Sequence, residues 1–380
     1  MNYQLITTDE QLKSACDAAA QKSLIALDTE FVRTRTYYPQ LGLIQMYDGD
    51  NVTLVDPLNI KDWSPFVALL THPQVIKYLH ACSEDLEVFL HEFNTIPTPM
   101  IDTQALAAFN QRPLSTGFAT LVAEYLGVEL DKSESRTDWL ARPLTEKQCI
   151  YAAADVYYLL PIAEKIQQET QERGWLDAAK DECVMMGNRR RETLNPDDAY
   201  FEINNAWQLN ERQLGVLKLL AAWRLNYARE RDMAVNFVVR EESLWQVARY
   251  QPSSMGELEA LGLSGPEIRF HGRTLLKLVA EGAALDVVTL PEKIVRIVDF
   301  PSYKRIFKDI KTLIQSVSAE CGLNAELLAS RRQINQLLKS YWQPSKGTSQ
   351  SELLTGWRGE LMGDRLRSFM AKETTAATAE

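Results

Sequence analysis

The run ALDTEFVRT, Ala26 to Thr34, constrains this chain more than any other. Two acids, Asp28 and Glu30, interrupt an apolar segment (SLIALDTEF, 23–31) that otherwise reads as a buried strand. Placing a carboxylate in a protein interior costs several kcal/mol unless it is paired or holds a metal. Residues two apart on a strand project from one face. The chain therefore commits two negative charges to one place and has to fold around whatever offsets them.

The surrounding sequence alternates strand and helix signals. LGLIQMYDGDNVTLVDP (41–57) is two strand-like runs about an Asp-Gly-Asp turn, hence a hairpin. VIKYLHA (75–81) is a further strand, and it leads into a helix over SEDLEVFLHEF (83–93). PMIDT (99–103) is a short strand or the start of a helix, with Asp102 as N-cap. TGFATLVAEYLGV (116–128) is a helix closed by Gly127, and 130–144 is a polar loop. Residues 145–174 open with a Thr-x-x-Gln capping box, bend near Pro161 and stop at Gly174. A hairpin followed by crossovers predicts an α/β sheet with helices on both faces.

A length of 380 residues suits two or three domains. Past RRRETLNPDD (189–198) strand signals fade, and two weakly similar helical units of roughly 75 residues follow. The expected division is an α/β domain over 1–190 and two all-α helical-bundle modules over 207–285 and 295–372. The five cysteines are scattered without a C-x-x-C, and the four histidines are scattered too. That pattern argues for reduced thiols in a cytoplasm and against a zinc site. The first twenty residues lack a signal pattern, and no run approaches ~18 apolar residues, so a membrane span is not expected. Net charge is −10, yet it is unevenly spread. Residues 1–206 carry 17 basic and 31 acidic side chains, whereas 296–372 carry 13 and 7. An acidic front with a basic rear fits a metal-holding part joined to a part that grips a polyanion.

Two further fragments join the twin acids. Asp85 stands in HACSEDL at the beginning of a helix, where alone it reads as an acid satisfying free N–H groups. Asp155 lies in YAAADV four residues after Tyr151, so a helix turns both side chains to one face. Each fragment alone has a structural explanation. All of them, in order within one α/β unit, are much harder to explain that way.

Together, LDTEFVRTRTYYPQLGLIQ, HACSEDL and YAAADV resemble the three motifs of the DEDD superfamily of 3′→5′ exonucleases. Tyr151 marks the tyrosine subclass; the histidine subclass would place a His where Ile150 stands. YYPQLGLIQ and SRTDWLARPLTEKQCIYAAADV resemble the ribonuclease D family within it, and the rear modules are similar to that family's HRDC domains. The resemblance implies a ribonuclease H-like mixed sheet flanked by helices. It implies a metal-dependent exoribonuclease that trims RNA with a free 3′ end, tRNA precursors among them, and releases 5′-mononucleotides. It assigns Asp28 as the ligand shared by two divalent cations, Glu30 and Asp155 as ligands of the first, Asp85 as support for the second, and Tyr151 as the group that orients the attacking water. No obligate protein partner is expected.

The chemistry agrees with that assignment. Phosphodiester hydrolysis builds negative charge on attacking and leaving oxygens, and two hard cations offset both. Mg²⁺ and Mn²⁺ favour carboxylate and water ligands, which suits acids without His or Cys. The alternatives are a 3′→5′ DNA exonuclease, because nothing in the motifs reads the 2′-OH, and a non-catalytic RNA-binding scaffold. Phe31, Val32, His80, Lys132, Trp139 and Arg142 are the candidate substrate contacts, with Gln45 as a support for the acids. Arg189, Arg190 and Arg191 are either phosphate contacts or a solvated linker, and the +6 rear module is the candidate RNA grip.

Overall fold

The computed structural model describes residues 2–131, 133–343 and 350–377. The chain forms two compact units, one of 1–32, 41–191 and 297–380, the other of 33–40 and 192–296.

The first unit holds six strands: β1 (Tyr3–Ile6), β2 (Leu24–Val32), β3 (Gln40–Tyr47), β4 (Val52–Val55), β5 (Ile76–Leu79) and β6 (Met100–Asp102). They lie in the order β1-β4-β3-β2-β5-β6. β3 and β4 form the expected antiparallel hairpin, while β1 pairs parallel with β4, and β5 pairs parallel with both β2 and β6. The alternation of β2 decides what each face sees. Ile25 and Leu27 join a core with Ile44, Phe66, Leu86 and Phe89, under α1 (Asp9–Ala19), α2 (Ser64–Leu70) and α3 (Ser83–Phe93). Ala26 faces the opposite core, with Leu43, Tyr78, Ala152 and Val156. That side carries α4 (Thr103–Phe109), α5 (Phe118–Leu126), α6 (Glu146–Tyr157), α7 (Leu159–Glu172) and α8 (Leu176–Arg191). By the same alternation Asp28 and Glu30 point to the α6 side and Thr29 to the α3 side.

β2 runs to Val32, whereas its parallel neighbour β5 stops at Leu79, so the acids sit where the sheet opens at the carboxyl ends of its strands. α6 begins in a complete capping box between Thr145 and Gln148. It ends at Tyr157 and α7 begins at Leu159, the break falling one turn before Pro161, whose ring denies that turn an N–H donor.

Residues 192–296 fold around α9 (Glu211–Glu230), α10 (Val235–Val238), α11 (Glu241–Tyr250), α12 (Met255–Ala260) and α13 (Gly265–Ala283). Their core includes Leu217, Leu220, Val247 and Leu275. Gly282 lets α13 lie against α9, since a Cβ there would fall 2.7 Å from the Val216 Cα. The segment 33–40 belongs to this unit: Arg35 O accepts from Ala234 N, and Tyr38 N donates to Asp232 at 2.9 Å.

The rear helices are α14 (Tyr303–Cys321), α15 (Ala325–Leu328), α16 (Arg331–Trp342), α17 (Gly356–Arg358) and α18 (Asp364–Ala377). Ile306, Ile310, Leu337 and Trp357 share one core with α4, α6 and α7. The Arg358 guanidinium, 3% exposed, bonds Glu182 of α8 and the carbonyls of Leu327 and Leu328. No helix among the described residues is long and apolar enough to cross a membrane.

Candidate active site

Asp28 and Glu30 from β2 and Asp155 from α6 each bring a carboxylate oxygen within 4.8 Å of the others. Tyr151, one turn before Asp155, lies beside that carboxylate, and its hydroxyl acts to lower the Asp155 pKa. Asp85 stays outside the three-oxygen group. It arrives on α3, from the other side of the sheet, and accepts the Thr29 hydroxyl. Its charge still reaches the group, because it raises the pKa of Asp28, Glu30 and Asp155.

Sequence reasoning gave Asp102 one task, and the structure gives it three. Its carboxylate accepts from Gln104 N as the N-cap of α4, and also from Ala81 N and Cys82 N at 3.0 and 2.9 Å. Ala81 has φ 52°, a left-handed turn that those bonds stabilise, and α3 with Asp85 starts immediately after it. Thr29 was missed as well, because a Thr between two acids on a strand looks like ordinary alternation.

Burial comes first among the causes that push Asp28, Glu30, Asp85 and Asp155 above the usual carboxylate range, and neighbouring carboxylates add to it. Such a group is strained when ionised and empty-handed. Oxygen donors without His or Cys match the preferences of hard divalent cations, and binding would relieve both burial and repulsion. The Tyr151 phenol is also raised, by burial first and then by Asp155, Glu30 and Asp28.

The other candidates divide. Gln45 is fully buried on β3, and its Nε2 lies 3.4 Å from Asp28 Oδ2. Phe31 and Val32 are half-buried at the end of β2. His80 packs on Phe118, ring centroids 5.6 Å apart. Its Nδ1 lies 2.9 Å from Thr103 Oγ1, whose own proton goes to Leu79 O, so His80 is the donor. Lys132 lies outside the described residues.

Two candidate substrate contacts need correction. Arg142 forks onto both oxygens of Asp56, at 2.8 and 3.0 Å, and bonds the carbonyls of Gly42 and Trp139. These contacts occupy its donors in a loop clamp. Trp139 is 2% exposed and lies in the core, ring centroid 6.0 Å from that of Tyr151. Its indole N–H has no partner among the described residues. The arginine run is likewise not a solvated linker. It ends α8, with Arg189 on Glu182 and Arg190 on Glu87. In the rear module Arg305 pairs with Glu373 and Arg332 with Glu352, so part of its positive charge is already matched.

An acid pair on a central strand, a helix-start aspartate and a Tyr-x-x-x-Asp helix on such a mixed sheet define a DEDD-type 3′→5′ exonuclease. A family model described as a 3′-5′ exonuclease matches residues 3–171, and models for an HRDC domain and for the ribonuclease D C-terminal HRDC domain match 213–279 and 301–366. The chain belongs to the ribonuclease D family. It is 64% identical to ribonuclease D of Serratia proteamaculans over 370 residues, covering 97% of this chain and 99% of that protein. It is 61% identical to ribonuclease D of Escherichia coli, with the same coverage. The crystal structure of the Escherichia coli enzyme superposes with a TM-score of 0.96 at 60% identity, covering 98% of this chain and 99% of that one. Members of this family are hydrolases that use divalent metal ions.

Proposed function

We propose that this chain trims structured RNA, tRNA precursors included, one nucleotide at a time from the 3′ end, with two Mg²⁺ or Mn²⁺ ions. The convergence of Asp28, Glu30 and Asp155 within 4.8 Å carries the reading. The Escherichia coli structure is described as that of an exoribonuclease involved in structured RNA processing, which supports the substrate class. The catalytic segment is 1–190, followed by helical segments 207–285 and 295–372.

In this reading Asp28, Glu30 and Asp155 would hold one cation, Asp28 would be available to a second as well, and Asp85 would support that second one. When bound, the cations neutralise charge on the scissile phosphate and acidify water. Tyr151, a phenol that ordinarily titrates at about 10, would serve as a donor that orients water or a phosphate oxygen rather than as a base. Thr29 and Asp102 fix Asp85 from the side chain and from the start of α3.

In the 192–296 unit, α13 is the candidate RNA contact. Its solvent face presents Arg269, Arg273 and Lys277 around Phe270, which is 65% exposed with the Arg269 guanidinium 4.5 Å from its ring centroid. Cations interleaved with an exposed ring suit a single strand. All five cysteines are free thiols, which supports a reducing, cytoplasmic setting. Digestion of 3′-labelled and 5′-labelled RNA tests the proposal. Immediate release of labelled mononucleotide from the 3′ label only, abolished by EDTA, is expected. Internal cleavage, faster digestion of matched DNA, or turnover in EDTA would overturn it.

A further inference from the structure

The loop 127–145 between α5 and α6 contains no regular element among its described residues, yet it is fastened at several points. Trp139 O and Cβ would lie 2.6 and 2.8 Å from any Cβ added at Gly42, so the tryptophan backbone rests directly on β3. Only a residue without a side chain leaves that room. Arg142 ties Gly42 O and Trp139 O together and anchors both to Asp56 through a bidentate pair. On the other side, Gln148 of α6 donates to Thr137 Oγ1 and Asp138 O, while its Oε1 accepts from Thr145 N. The backbone that carries the indole is thus held from β3, from Arg142 and from the first turn of α6.

Its ring leans on one side chain of the site. The Trp139 and Tyr151 planes are inclined by 40°, and Tyr151 lines an open cavity of about 300 Å³ together with Asp155. A phenylalanine would fill much of the same space without an N–H that lacks a partner among the described residues. The larger ring therefore has a use other than economy of polar groups, and the side chain beside it is Tyr151.

We propose that Trp139 is a positioning residue for the hydrolysis. It braces the Tyr151 ring so that the hydroxyl stays directed into the cavity it shares with Asp155 and toward the reacting group, and the Gly42–Arg142–Asp56 clamp keeps the brace in place. The proposal rests on Tyr151 having the orienting role described above. It also replaces direct RNA contact as the reason for this aromatic in the loop.

A double-mutant cycle on the full-length protein tests it, with single-turnover and steady-state rates on one RNA. Tyr151→Phe should lower kcat by ~10-fold or more. Trp139→Phe should lower kcat by ~3- to 10-fold with KM within about 2-fold, because geometry is loosened and no substrate contact is removed. On the Tyr151→Phe background the same Trp139→Phe change should alter kcat by less than about 2-fold, since the hydroxyl it serves is gone. Arg142→Gln, which releases the loop without touching either ring, should behave as Trp139→Phe does, and it carries the test if Trp139→Phe fails to fold. A normal rate for Tyr151→Phe would refute the orienting role itself. A slow Tyr151→Phe with multiplicative losses in the double variant, or a Trp139→Phe effect confined to KM, would refute the brace alone.

Discussion

Asp155→Asn should make the metal-free protein more stable while making it inactive. Burial first, and then the charge of Asp85, raise Asp155 to about 7 from 3.8, against the bond from Tyr151 that lowers it. A group raised in the folded state costs nothing below its unfolded value, and the cost grows with pH until the folded value is passed. The window is therefore pH 3.8 to about 7. A gap of about three units corresponds to ~4 kcal/mol at 1.36 kcal/mol per unit, an upper bound that side-chain relaxation reduces to ~1–3 kcal/mol. Removing this charge also eases the repulsion on Asp28 and Glu30. Thermal unfolding in EDTA should thus show the Asn variant melting several degrees above wild type at pH 8, with the difference mostly gone at pH 4. Adding Mg²⁺ should raise the wild type and leave the variant nearly unmoved. A variant that melts below wild type at pH 8 in EDTA, or a benefit of equal size at pH 4 and pH 8, would refute the reasoning.

Three further outcomes follow from other parts of the molecule. Glu182→Ala leaves the nearly inaccessible Arg358 without its carboxylate, which should cost ~3–5 kcal/mol in urea unfolding; Glu182→Leu with Arg358→Met should recover most of it, and a single-variant loss below ~1 kcal/mol would contradict the buried pair. Arg269→Ala with Arg273→Ala should reduce the slope of log affinity against log salt for single-stranded RNA by ~1.4, and an unchanged slope would remove α13 from the RNA path. Against the cost of burial, bonds from Arg240 and Ser264 hold Glu267 at about 2, so its contribution is present above 4.5 and lost as pH falls through about 2. Glu267→Gln should therefore lower the melting temperature clearly at pH 7 and hardly at pH 2.

The elements that hold the acids were legible because their signals are local. A period-2 run placed Asp28 and Glu30, a capping box placed the start of α6, and Pro161 placed its break. What was hidden depends on partners distant in sequence. Arg142 and Trp139 look like nucleic-acid contacts on a polar loop until Asp56 and Gly42, about a hundred residues earlier, occupy them. Arg189 and Arg190 look solvated until Glu182, Glu352 and Glu87 pair with them. Lys77 gives no sequence hint of its full burial, because its three partners are the carbonyls of His72, Val75 and Thr98. Asp85 was expected beside the other three acids, and its place outside their three-oxygen group follows from the sheet face it comes from.

Anomalous diffraction from crystals grown with Mn²⁺ and a 5′-mononucleotide is the most direct test. The account predicts one strong peak enclosed by the oxygens of Asp28, Glu30 and Asp155, a second beside Asp28 on the Asp85 side, and neither peak after Asp28→Asn. Crystals of the unsubstituted protein showing no manganese between β2 and α6, or manganese bound only elsewhere, would contradict it.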